Sequence, residues 1–185
     1  MSLIMTTTEI IAQAIGIAAM CFNLFSYQQK TRKGAIFCQL FGTILFTANF
    51  LMLGAVVGGI MNLIGAIRAV IFINKEKLKA DHIAWFIGFT AIYLASYAAT
   101  FTVLGKEATA FNLIIEFLPV IGMIATTQSY RLSDAKAIRK YGLISSPVWL
   151  VYNIANFSVG AIICEVLSLG SIILGMVRLD RKNNS

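Results

Sequence analysis

Charge is scarce in this chain. Only 12% of its 185 residues are Asp, Glu, Lys or Arg, about half of what a soluble domain carries. Histidine occurs once, as His82 in a charged loop, which excludes a histidine-based metal site or catalytic triad. The three cysteines, Cys21, Cys38 and Cys164, lie inside apolar runs without metal-ligand spacing. They read as small buried hydrophobes, and a secreted disulfide scaffold is excluded. No Ser/His pair, histidine cluster or paired aspartates fall inside an apolar run, so neither an enzyme nor a cofactor is expected. The opening Met1-Ser-Leu-Ile-Met-Thr-Thr-Thr-Glu9 lacks the basic region of a signal peptide, so the first apolar segment is expected to stay as a helix.

What the chain has in excess is apolar surface. It is 58% hydrophobic, with a mean hydropathy of +0.81. A 20.2 kDa globule has no interior large enough to hide that surface. The expected environment is a lipid bilayer, and a nucleic-acid partner is excluded. The net charge of +7 then reads as cytoplasmic-loop lysine and arginine rather than as an anion-binding face.

Apolar stretches predict seven helices, at about 9–27, 35–53, 56–74, 83–103, 109–127, 139–157 and 160–178. Cations cluster in alternate loops: Lys30, Arg32 and Lys33; Lys75, Lys77 and Lys79; Arg131, Lys136, Arg139 and Lys140; and Arg178, Arg181 and Lys182 at the C-terminal end. All lie on one side of a seven-helix layout. The other side holds only Lys106, and Arg68 falls inside the third helix. This asymmetry predicts a multi-pass inner-membrane protein with its N-terminus outside and its C-terminus cytoplasmic.

The chain also resembles itself. Phe25-Ser26-Tyr27 and Gln128-Ser129-Tyr130 end the first and fifth helices, and Ala48-Asn49-Phe50 matches Ala155-Asn156-Phe157. Gly54-Ala55 matches Gly160-Ala161, and from there Asn62 aligns with Ser168 and Asn74 with Asp180. The expected fold is all-α transmembrane: a first three-helix repeat over 1–75, a linker helix in 76–107, and a second repeat with a short tail over 108–185. An odd number of helices between equivalent elements makes the repeats parallel, related by an axis along the membrane normal. Transport pathways lie between such halves.

Polar residues within the helices recur at helical spacing. Gln13, Gly16, Met20, Asn23 and Tyr27 mark the first helix, and Gln39, Gly42, Phe46 and Asn49 the second. Asn112, Glu116, Pro119 and Met123 mark the fifth, and Ser146, Trp149, Asn153 and Asn156 the sixth. Groups costly against lipid should face protein or water. The stripes therefore predict either interhelical hydrogen bonding or a cavity. The candidate solute-binding residues are Asn23, Asn49, Glu116, Trp149, Asn153 and Asn156, with Trp149 stacking on a ring. Arg68 and Glu116 are a candidate charge pair, set against the alternative that Arg68 snorkels to the headgroups. Pro119 and Pro147 are candidate hinges. Trp85 and Tyr93 read as interfacial and lipid-facing. No metal site is predicted.

Glu116-Phe-Leu-Pro119-Val-Ile-Gly122, Asn62-Leu-Ile-Gly-Ala-Ile-Arg68, and Trp149-x-x-Tyr-Asn153 followed by Gly160 and Glu165 resemble the YgjV family of bacterial inner-membrane proteins. The resemblance spans nearly the whole chain. The 3+1+3 layout is similar to that of the SWEET and PQ-loop sugar transporters and the Pnu-type vitamin-precursor transporters. That likeness implies facilitated diffusion of small, mostly neutral solutes by alternating access, and a small polar or ring-shaped metabolite is expected here. No Pro-Gln pair occurs, so a sugar specificity does not carry over. The layout also resembles the ER retention-signal receptor, which implies a non-transporting receptor or chaperone as the alternative. Nothing in the sequence excludes a homo-oligomer.

Overall fold

Apolar runs of about twenty residues, bounded by short polar segments, fold here into helices. The computed structural model describes residues 6–52, 56–155 and 159–180. These form α1 (Thr7–Tyr27), α2 (Arg32–Met52), α3 (Val56–Ile73), α4 (Lys75–Leu78), α5 (Ile83–Thr102), α6 (Ala110–Arg131), α7 (Ala135–Ala155) and α8 (Val159–Gly175), which runs into a π-helical turn at Met176–Asp180. No strand occurs among the described residues. The expected seven helices are joined by an eighth, the single turn α4 in a basic loop. Lys79 closes that turn in the left-handed region, at φ 48°.

Among the described residues five helices are long and apolar enough to cross a membrane: Ile10–Tyr27, Arg32–Met52, Ile83–Thr102, Ala110–Arg131 and Ala161–Asp180. The described apolar stretch of α3, Gly59–Ile73, is shorter. The first two turns of α7 carry Lys136, Arg139 and Lys140.

Two helices begin about a turn before their apolar pattern does, because polar side chains cap them. The Thr31 hydroxyl accepts the Gly34 N–H at 3.1 Å ahead of α2. Asp134 Oδ1 accepts the Lys136 N–H at 2.9 Å ahead of α7. Thr109 and His82 cap α6 and α5 in the same way. Such caps satisfy N–H groups that have no partner within the helix.

Sequential helices pack on one another: α1 on α2, α2 on α3, α6 on α7 and α7 on α8, with α5 against α6. Contacts of α1 with α8, α2 with α7 and α3 with α6 close the bundle. Its outer surface is apolar, with Phe25, Val70, Ile87, Ile114 and Ile163 exposed, as lipid contact requires. Cys21 is exposed there as well, and Cys38 and Cys164 are only half-buried; none of the three has the fully buried setting expected of it. An aromatic cluster of Phe72, Phe89, Tyr93 and Tyr130 ties α3, α5 and α6 together.

Two arginines clamp helix ends at the basic pole of the bundle. Arg32, opening α2, donates to the carbonyls of Phe72 and Tyr130, both at 3.0 Å. Arg139, near the start of α7, donates to the carbonyls of Tyr27 at 3.3 Å and Gln29 at 3.0 Å, and pairs with Asp180. The carbonyls of Phe72, Tyr130 and Tyr27 lie in the last turns of α3, α6 and α1 and lack partners inside those helices, while that of Gln29 belongs to the loop after α1. Gly175 allows the close approach of α8 to α1: a Cβ there would collide with the Tyr27 carbonyl.

Candidate solute cavity

A cavity of about 480 Å³ lies within the bundle, inside the range of small-molecule sites. Most of its wall comes from α1, α2, α6, α7 and α8, with Met61, Asn62, Gly65 and Arg68 contributed by α3. The α1 stripe enters it entire, from Gln13 to Tyr27. Gln39, Phe46 and Asn49 of α2 and Ser146, Trp149 and Asn153 of α7 also line it. Four of the candidate binding residues, Asn23, Asn49, Trp149 and Asn153, therefore share one space. Asn156 lies outside the described residues, as does Gly54.

Close helix packing shapes this wall. A Cβ at Gly122 would come within 2.7 Å of Trp149 Nε1, so the glycine lets the indole approach α6 this closely. Asn49 donates to the Ala12 carbonyl at 2.7 Å, so one face of that amide ties α1 to α2. Gln39 donates to Ser26 Oγ at 3.0 Å and accepts from the Tyr130 hydroxyl. Ser26 and Ser129 each donate to a carbonyl three residues back, at 2.6 and 2.7 Å. Glu165 and Tyr27 both lie against Ser146, which gives the Glu165 carboxyl a partner that the sequence did not indicate.

The expected pairing of Arg68 with Glu116 is not what the structure shows. Glu116 sits toward the opposite pole and pairs with Lys106 at 2.5 Å, close to Tyr152. It is not part of the cavity wall, and neither are Asn112 and Pro119; of that stripe only Met123 is. Further along α6, Thr126, Ser129 and Tyr130 take the expected place. Pro119 and Pro147 lie inside α6 and α7.

Arg68 does not snorkel. It is 8% exposed, and its Nη1 donates to Tyr93 Oη at 3.1 Å, the Met123 carbonyl at 3.2 Å and Thr127 Oγ1 at 3.3 Å. Its guanidinium carbon lies 5.1 Å from the centre of the Tyr130 ring, a cation–π contact. Tyr93 is fully buried and also bonds Thr127 at 2.9 Å, so it is not lipid-facing. Trp85 is half-buried and donates to the Leu78 carbonyl at 3.1 Å. Tyr93 shares a helical spacing with Thr90, Tyr97 and Thr100 on α5, so the sequence does carry a signal for it, in hydroxyls rather than in carboxamides or charges.

The Imp-YgjV family model, described as bacterial inner membrane protein, matches residues 10–183. The chain belongs to the YgjV family of bacterial inner membrane proteins. Neither a curated protein nor a solved structure matches it. Of the five described helices long and apolar enough to span a membrane, α1, α2, α6 and α8 contribute to the cavity wall, as fits a member of this family.

Proposed function

We propose that this YgjV-family protein is a small-solute transporter that works by alternating access between two similar halves, α1–α3 and α6–α8, with α5 as the linker. The cavity carries this reading. Carboxamides, hydroxyls and an indole line a space of about 480 Å³, where side chains serving only to join helices would close on one another. Two further features support it. The equivalent clamps by Arg32 on the Tyr130 carbonyl and Arg139 on the Tyr27 carbonyl fit a parallel duplication. The contacts of α1 with α8 and of α3 with α6 are exchanged by the same two-fold relation. On this reading the clamped basic pole is cytoplasmic and closed, and the opposite pole is the mouth through which solute enters.

The alternative is a non-transporting receptor or chaperone on a transporter-like fold, favoured by the polar ties Asn49–Ala12 and Gln39–Ser26 that fix α1 to α2. Proteoliposomes exposed to a mass-spectrometric panel of small neutral and anionic metabolites separate the two. Transport predicts entry of at least one compound faster than into protein-free vesicles. Asn153→Leu should slow that entry by about tenfold, roughly the worth of one hydrogen bond. Entry of none would remove the transport reading and leave the receptor.

A further inference from the structure

We infer that the cavity takes its solute as a small organic anion, with a carboxylate or phosphate oxygen held by the guanidinium of Arg68. This deepens the transport reading by naming a substrate class. Arg68 is buried, lines the cavity and lies on α3 one turn before Phe72, whose carbonyl Arg32 holds. An arginine keeps its charge when buried, so its positive charge needs a compensating partner. Its neighbours supply none. Tyr93, Thr127 and the Met123 carbonyl are neutral, as is the Tyr130 ring beneath it.

Among the described residues no carboxylate pairs with Arg68. The ion pairs among the described residues are Lys33–Glu76, Lys106–Glu116 and Arg139–Asp180. Glu165, the acid on the cavity wall, lies against Ser146 and Tyr27, on the α1–α7 side. Arg68 Nε is a buried donor with no hydrogen-bond partner among the described residues. A buried cation therefore lines the cavity without an ionic partner among the described residues. Guanidinium–oxyanion pairing supplies the opposite charge together with strong, directional hydrogen bonds. Tyr93, Thr127 and Tyr130 hold the guanidinium in place before the solute arrives, which lowers the ordering cost of binding.

The test compares matched acids and amides, benzoate with benzamide and nicotinate with nicotinamide, on the full chain in nanodiscs. Trp85→Phe leaves Trp149, on the cavity wall, as the one tryptophan reporter. The expected result is binding of at least one acid about tenfold or more tighter than its amide, the range of a charge-assisted hydrogen bond. Arg68→Gln should remove that preference, and Arg68→Lys should keep part of it. An arginine that only ties α3 to α5 and α6 would alter stability in these variants without making binding depend on charge. Equal binding of every acid and amide by the parent protein, or no binding of either, overturns the inference without need of any variant. So does a preference that survives in Arg68→Gln. Flux measurements keep the two readings apart. An acid that binds through Arg68 but never crosses the bilayer counts against transport alone, whereas uptake indifferent to charge counts against the anion site alone.

Discussion

Arg68 and Glu116, joined by charge in the sequence reading, serve two different places. Glu116 pairs with Lys106 from the loop between α5 and α6, and its side chain is 11% exposed against 36% for the lysine. With one partner partly solvated, the pair is worth little more than a surface bridge, so Glu116→Gln should lower stability by only about 1 kcal/mol. The expected signature is a small drop in thermal midpoint that is absent when Lys106→Met is already present. An unchanged charge preference in cavity binding should accompany it. A large loss of solute binding in Glu116→Gln would show that this carboxyl serves the cavity after all.

The helices show which parts of this architecture a sequence can reveal. Seven apolar runs became seven long helices, and the stripes on α1, α2 and α7 turned into the cavity, because a period of 3.6 fixes which residues share a face. The stripe on α6 was legible as a face but not in depth. Glu116 and Tyr130 lie on the same side of that helix, yet the first meets Lys106 folding back from a loop and the second meets Gln39 across the cavity. The cradle around Arg68 draws on α5 and α6 together, and no spacing along one helix encodes it. The same holds at the basic pole, where Arg139 bonds α1 and the end of α8 at once. Breaking a buried ion pair on one side costs about 3 kcal/mol, so Asp180→Asn should lower the unfolding midpoint well beyond Glu116→Gln. Arg139→Gln combined with Asp180→Asn should cost less than the two singles summed, as expected of one shared interaction. Additive losses would mean that Arg139 acts through the helix-end carbonyls alone.

At the scale of the whole molecule, charge sorts to the two poles. The chain around residues 28–34, the segment between α3 and α5, the turn between α6 and α7, and the end of α8 all lie at the basic pole. Lys106 lies at the other. Contacts fix this arrangement independently of composition: Arg32 joins the start of α2 to the ends of α3 and α6, and Gln28 reaches Ser171 of α8 at 2.9 Å. If, as proposed, the basic pole is cytoplasmic, α3 and α7 must also cross the membrane, although among the described residues neither is one of the five helices of spanning length and composition; otherwise the basic loops would fall on both sides. In a cysteine-free background, Glu107→Cys should react with a membrane-impermeant maleimide in intact spheroplasts. Lys77→Cys and Lys140→Cys should react only after lysis. Labelling of Lys140→Cys from outside would mean that the first turns of α7 stay on the wrong face, and a pathway between two parallel halves could not then run through the cavity.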